Sequence, residues 1–308
     1  MSRILPEEIM THNKQKSVNS GTGKAADFQW RKMDKRQLPL AEKLLRDREL
    51  WCVAACGRFN RLLKQRSSTD AVWTLRDNGG GIYALIVYAN YNLLPVFCGN
   101  TEIPNPVFIN KIFGMLPIHS IQGLRDEAIF IEDYLSTYGL AAVDKIDYNL
   151  MYIDVLPELS SFNTGPKSLI LRSARNSDLD ALAVLQAGYE QEEVLPSGAV
   201  FNPASSRLNT EKIFGHEQLL VAELEGRLVG KINTSALSFT RFQIGGVYVL
   251  PAFRGMGIAR RMAGEFVSGL IKQGKGVSLF VKKSNPPAIS VYRRLGFKFL
   301  ADYRITYY

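Results

Sequence analysis

The stretch Arg254-Gly255-Met256-Gly257-Ile258-Ala259 joins a run of strand formers, Gln243 to Leu250, to a run with helical periodicity, Ile258 to Ile271. A glycine-rich turn between a strand and a helix makes a cradle for anions. Glycine lets the backbone approach phosphate oxygens, and the first N–H groups of the helix lack intrahelical partners. The helix dipole favours negative charge there as well. Ile258, Met262, Phe266 and Leu270, with Ala259, Ala263, Val267 and Ile271, form one apolar stripe, while Arg260, Arg261, Glu265 and Ser268 face away.

Downstream, Val277 to Val281 reads as a short strand. Ser284-Asn285-Pro286-Pro287 then reads as a helix start, with a capping side chain followed by proline in the first turn. A helix over Ala288 to Arg294 ends before Gly296, and Phe297 to Tyr307 returns as a strand.

The order Gly246-Val247-Tyr248-Val249-Leu250-Pro251, then Arg254 to Ala259, then Asn285, Ala288, Tyr292, Gly296 and Phe297, resembles the GNAT superfamily of acyl-CoA-dependent N-acyltransferases. The resemblance covers roughly residues 168 to 308. It implies a mixed, mostly antiparallel central sheet flanked by helices, an α/β (α+β) fold with a splayed, cofactor-binding strand pair. It also implies acetyl-CoA as co-substrate and direct attack of an amine on its thioester. Backbone groups from Arg254, Gly255, Met256, Gly257, Ile258, Ala259 and Arg260 would hold the pyrophosphate. Val247, Tyr248 and Val249 would line the pantetheine arm. An N–H near Val249 would serve as oxyanion donor. Tyr292 would be the general acid that protonates the thiolate, or, on the plainer reading, an aromatic ring packed by its helix. Asn285 falls where the family places a side chain that contacts the cofactor. The strand Gln243 to Val249 carries no carboxylate, so the base is open: Glu190, Glu192 and Glu193 border the acceptor side, and otherwise they are a solvated helix end. Ordered water is the other route, with proximity supplying most of the rate.

The chain has 308 residues, enough for about two domains, and 46% hydrophobic with 22% charged residues is an ordinary globular composition. No apolar stretch reaches membrane length. Met1 to Lys35 is polar and broken by Pro6 and Gly21, so neither a signal peptide nor a membrane is expected. Cys52, Cys56 and Cys98 lack metal-type histidine spacing; buried thiols in a reducing cytoplasm are the expectation, with no metal. The net charge of +9 comes partly from a basic tail, Lys14, Lys16, Lys24, Arg31, Lys32, Lys35 and Arg36, so nucleic acid is not the expected partner.

The first half repeats the order of the second. Helical runs Leu40 to Arg48 and Val53 to Gln65 precede a hairpin, Val72 to Leu75 and Ile82 to Tyr88, then a strand at Leu93 to Phe97. Pro117 to Ile121, a helix over Leu124 to Tyr138 and a strand over Tyr148 to Leu156 complete it, the last expected to close the first half's own sheet. Cys98 to Pro104 lacks the cradle spacing. The reading is a tandem: a flexible tail over 1–25, a degenerate GNAT-like domain over 26–160, and a catalytic domain over 161–308, with Ser160 to Lys167 as linker. The first half would shape the acceptor cleft or a homodimer surface. The loop Leu195 to Arg207 would help select the acceptor, a small-molecule or protein amine. A non-catalytic acyl-CoA sensor or scaffold is the competing class.

Overall fold

A computed structural model describes residues 28–64, 70–99 and 116–308. The expected tail over 1–25, its lysines Lys14, Lys16 and Lys24, and Asn100 to Pro104 lie outside the described residues.

The first half runs β1 (Gln29–Lys32), α1 (Leu38–Asp47), α2 (Val53–Lys64), β2 (Ala71–Arg76), β3 (Ile82–Ala89), β4 (Asn92–Phe97), β5 (Ser120–Leu124), α3 (Arg125–Ser136) and β6 (Asp144–Ile153). After a one-turn helix, α4 (Leu159–Phe162), the second half runs β7 (Ile170–Ser173), α5 (Leu179–Tyr189), a π-turn over Glu190–Val194, and α6 (Pro203–His216). It then continues through β8 (Leu219–Leu224), β9 (Arg227–Leu237), β10 (Arg241–Val249), α7 (Ile258–Lys272), β11 (Gly276–Lys282), α8 (Pro286–Arg294) and β12 (Lys298–Tyr307).

All the strands join one sheet, in the order β1-β2-β3-β4-β5-β12-β6-β11-β10-β9-β8-β7. The two halves therefore exchange strands. β6 does not close its own half: it pairs antiparallel with β11 and with β12, and β12 in turn pairs with β5. This corrects the expectation for Tyr148 to Leu156. A sequence pattern identifies a strand by its alternation, but its neighbour is chosen by which edge lies unpaired. The arrangement has a pseudo-twofold between β6 and β12. On either side lies a parallel pair, β4 with β5 and β10 with β11. Glu132 on α3 pins the exchange, bonding Lys145 Nζ on β6 at 2.7 Å and the Thr306 hydroxyl on β12.

Apolar periodicity sets the packing. α7 buries Ile258, Met262, Phe266 and Leu270 in the main core cluster of the second half, with Val229, Ile244 and Leu279. The expected linker is structured as well: Phe162 is buried, and its ring sits where a Cβ on Gly264 of α7 would otherwise lie. The end of the segment expected as the loop Leu195 to Arg207 is taken by α6, whose cap is Asn202, its side chain accepting from Ser205 N–H at 2.9 Å. Cys52 and Cys56 are free thiols 3.6 Å apart on one helical face, as i, i+4 spacing requires.

Candidate active site

The second half's parallel pair opens at once. β10 and β11 are in register only from Arg241 to Gln243 against Gly276 to Ser278; beyond that point β11 stays with β6 and β10 stays with β9. β10 also carries a bulge. Gly245 faces Asn233, yet Tyr248 faces Lys231, so one extra residue is accommodated at Gly246, whose φ is +59°.

Past the bulge, Leu250 N–H donates to Val229 O at 2.9 Å. By the alternation of an antiparallel ladder, Val249 turns its N–H and carbonyl the other way, into the opening between β10 and β11. The Val249 carbonyl accepts from Arg254 Nε at 2.9 Å, which shows that it lies outside the ladder.

The cradle follows. Pro251 to Phe253 make one 3-10 turn, and Gly255 and Gly257 both take positive φ, with Gly257 capping α7. Ile258, Ala259 and Arg260 are the first residues of that helix, so their N–H groups have no intrahelical acceptor. A Cβ on Gly255 would meet nothing within 4 Å, so the outer wall is open. Gly257 is closed on one side by the linker: Thr164 Oγ1 donates to its carbonyl at 3.2 Å, and Arg260 Nε reaches the same hydroxyl at 3.4 Å. Met256 is exposed.

The three glutamates after α5 are all engaged by neighbouring side chains, Glu192 while still exposed and Glu190 and Glu193 half-buried. Glu190 accepts from Gln186 and Asn209, each at 2.7 Å. Glu192 accepts from the Tyr248 hydroxyl at 2.7 Å and pairs with Arg254 Nη2 at 2.8 Å. Glu193 accepts from Asn285 Nδ2 at 3.1 Å and lies 3.5 Å from Lys282 Nζ. Asn285 meanwhile uses its oxygen to cap α8, accepting from Ala288 N–H at 3.1 Å.

Tyr292 is buried, its ring edge-on to Phe297 at 5.6 Å. Burial, with Tyr189 and Glu193 close by, pushes its pKa well up, so the hydroxyl holds its proton at neutral pH. Burial also raises the Tyr189 hydroxyl, to about 12, although the Gly246 N–H opposes the shift. Tyr148 from β6 and Tyr307 from β12 belong to the same group, both raised by burial.

One residue escaped the sequence reading. Lys231 on β9 is 2% exposed, with Nζ donating to Asn233 Oδ1 and to the Gly246 carbonyl, both at 2.9 Å. Burial pushes its pKa down to about 7, opposed by Glu190. The signal was present in two places: a lysine inside the apolar run Leu228 to Ile232, and the pair Gly245-Gly246 inside a strand.

Residues 187–297 match the Acetyltransferase (GNAT) family. No curated protein matches the chain by sequence. Among solved structures, a Drosophila protein is similar over 92% of this chain and 99% of its own, at 9% identity and TM-score 0.62. A GCN5-related N-acetyltransferase from Sphaerobacter thermophilus is similar at 17% identity and TM-score 0.58, over 91% of this chain and 94% of its own. A tandem GNAT protein from the clavulanic acid biosynthesis pathway aligns over 91% of this chain and 98% of its own, at 12% identity and TM-score 0.54. Residues 187–297 thus carry a GNAT-family domain, and the chain as a whole has a tandem α/β fold like those structures. No helix among the described residues is long and apolar enough to cross a membrane.

Proposed function

We propose that the protein is an N-acetyltransferase that moves an acetyl group from acetyl-CoA to a primary amine in a ternary complex. The observation that carries this reading is the opening between β10 and β11: Val249 turns an edge without a strand partner into it, its carbonyl held by Arg254 Nε, and the cradle of Arg254 to Arg260 follows directly. A phosphate-bearing thioester fits this arrangement. Free helix N–H groups and an open Gly255 face suit the pyrophosphate, and a strand edge suits the amide-bearing arm. Acetyl-CoA, when bound, supplies the activated acetyl group.

This chain's residues do the rest. The Val249 N–H stabilises negative charge on the carbonyl oxygen during attack. Tyr292 holds a proton for the departing thiolate; its raised pKa keeps that proton in place until the thiolate, a strong base, needs it. The buried tyrosines and the strand walls orient the amine and exclude water. The acceptor is a small-molecule or peptide amine that enters beside the Glu190 to Val194 turn.

Calorimetric titration with acetyl-CoA tests the reading, comparing wild type with Gly255→Glu. Gly257 is the poorer probe, because a side chain there would also strike Thr164 and Gly165. Binding that is lost in Gly255→Glu, followed by acetylation in an amine panel, supports the proposal. Absence of binding by the folded protein overturns it. A second reading, an acyl-CoA sensor, draws on the lack of any carboxylate in β10. Tyr292→Phe separates the two: turnover that falls while affinity persists favours the enzyme, and binding without turnover on any amine favours the sensor.

A further inference from the structure

Every carboxylate near the opening is already held by a cation, an amide or a hydroxyl. Glu190 is clasped by Gln186 and Asn209, Glu192 by Tyr248 and Arg254, and Glu193 by Asn285 and Lys282. The reaction nevertheless produces a proton on the attacking nitrogen. We infer that Lys231, seated against the β10 bulge, is the group that takes it. This rests on the acetyltransferase reading above.

The first argument is the match of donors to acceptors. An ammonium has three N–H groups and a neutral amine has two. Lys231 Nζ meets two acceptors, Asn233 Oδ1 and the Gly246 carbonyl, and neither is charged. No carboxylate lies within ion-pair distance among the described residues. Two hydrogen bonds satisfy the neutral amine and leave its lone pair free. A permanently charged lysine, buried without a counterion, would cost several kcal/mol.

The second argument is position. The bulge is built around the lysine tip: a Cβ on Gly246 would stand 2.6 Å from Lys231 Nζ and 2.0 Å from Asn233 Oδ1, so glycine is required there. The same bulge re-aims β10 so that Val249 faces the opening. The lysine thus sits at the root of the strand segment that presents the oxyanion donor.

The third argument is the surroundings. α5 and the turn after it contribute Tyr189, whose ring centroid is 5.0 Å from Nζ, and Glu190; β10 contributes Tyr248 opposite in register, and β8 contributes the apolar Val221. With one carboxylate near but not bonded, and burial dominant, the lysine is poised to exchange a proton around neutrality.

The step balances. The amine nitrogen bonds the carbonyl carbon and the C–S bond breaks. The nitrogen's proton passes to Lys231 Nζ, and the thiolate takes the Tyr292 proton. Lys231 then loses its proton to water, and Tyr292 regains one.

The test has two arms. In the first, the ε-carbon resonances of 13C-lysine-labelled wild type are followed from pH 5 to 11, with Lys231 assigned by its absence in Lys231→Met. A midpoint near 7 is expected; a midpoint above 9 overturns the inference. This arm reads the wild-type protein even if a variant folds poorly, since Lys231→Arg also supplies the assignment. In the second arm, acetylation of the best amine from the panel is measured against pH. Wild-type kcat/KM should rise through pH 7. Lys231→Gln should lose roughly 100-fold or more together with that rise, while retaining acetyl-CoA affinity by calorimetry. Turnover and pH profile that survive Lys231→Gln overturn the base role alone. A wild type that binds acetyl-CoA yet acetylates no amine overturns the transfer reading and the base role with it.

Discussion

Gly246→Ala isolates the feature around which the opening is built. The added methyl would lie 2.0 Å from Asn233 Oδ1, 2.6 Å from Lys231 Nζ and 2.9 Å from Asn233 Cγ, all on buried side chains. Those side chains cannot simply swing aside, because Nζ is tied to the Gly246 carbonyl and Asn233 Nδ2 donates to Thr234 O at 2.7 Å. Two costs add. A non-glycine residue in the left-handed region costs about 1–2 kcal/mol. Overpacking a tight site costs about 1–3 kcal/mol. The sum predicts a loss of roughly 2–5 kcal/mol, read from the shift in guanidinium unfolding midpoint at unchanged slope. Gly255→Ala is the matched control, since its φ of +79° carries the backbone cost but its Cβ meets nothing. It should lose only about 1–2 kcal/mol. If Gly246→Ala lies within about 0.5 kcal/mol of wild type, the surface-substitution range, the bulge does not have this geometry and the placement of Lys231 fails with it.

Other outcomes follow from burial and pairing. Lys231 has a folded pKa of about 7, below its unfolded value of about 10.5, so the unfolded chain binds more protons between those values and stability rises with pH across that window. The span is at most roughly 5 kcal/mol by linkage, and Lys231→Met should flatten it in denaturation curves taken from pH 6 to 10. Glu127 behaves in the opposite sense: burial raises it to about 7, so its contribution is full below about pH 4.5 and is lost as pH rises through 7. Glu127→Gln, which keeps an acceptor for the Phe97 N–H, should reduce that loss by about 1–3 kcal/mol at pH 8, and an unchanged pH dependence would refute the assignment. Residues 161–308 expressed alone lack β5 and β6 and so leave β11 unpaired along one edge and β12 unpaired along both. That fragment should aggregate or stay unfolded by circular dichroism, and a monomeric, cooperatively melting fragment would show that the exchange is dispensable.

Local order was legible where the pattern was local. The helix after the cradle was expected over Ile258 to Ile271 and found over Ile258–Lys272, because capping glycine and apolar stripe both lie in contiguous sequence. β11, α8 and β12 were read within a few residues for the same reason. Ile170–Ser173 passed unread, being a four-residue edge strand with little alternation to show. Partnership was not legible at all. Nothing in Tyr148 to Leu156 says that its neighbours are Leu279 and Phe299 rather than Ile121. The engagement of Glu192 by Tyr248 and Arg254 depends on how a π-turn folds back over the cradle, which spacing does not encode.

The strand exchange gives the first half a part in the site without a cradle of its own. Once β10 leaves β11, each strand needs a partner on its far side to stay extended, since an unpaired strand loses its ladder. β9 holds β10 from one side, down to Val249 opposite Gly230. β6 holds β11 from the other, from Val277 opposite Ile153 to Lys282 opposite Tyr148. The opening is therefore braced between a strand of the second half and a strand of the first. Tyr148 stands at the end of that brace, its pKa pushed up by burial and, to a lesser degree, by the nearby Tyr307, Tyr189 and Glu193. A change in the first half that shifts β6 by one register would turn Tyr148 to the other face of the sheet and move the wall that β11 presents. The first half thus reaches the opening through β6, the strand that holds β11 in place.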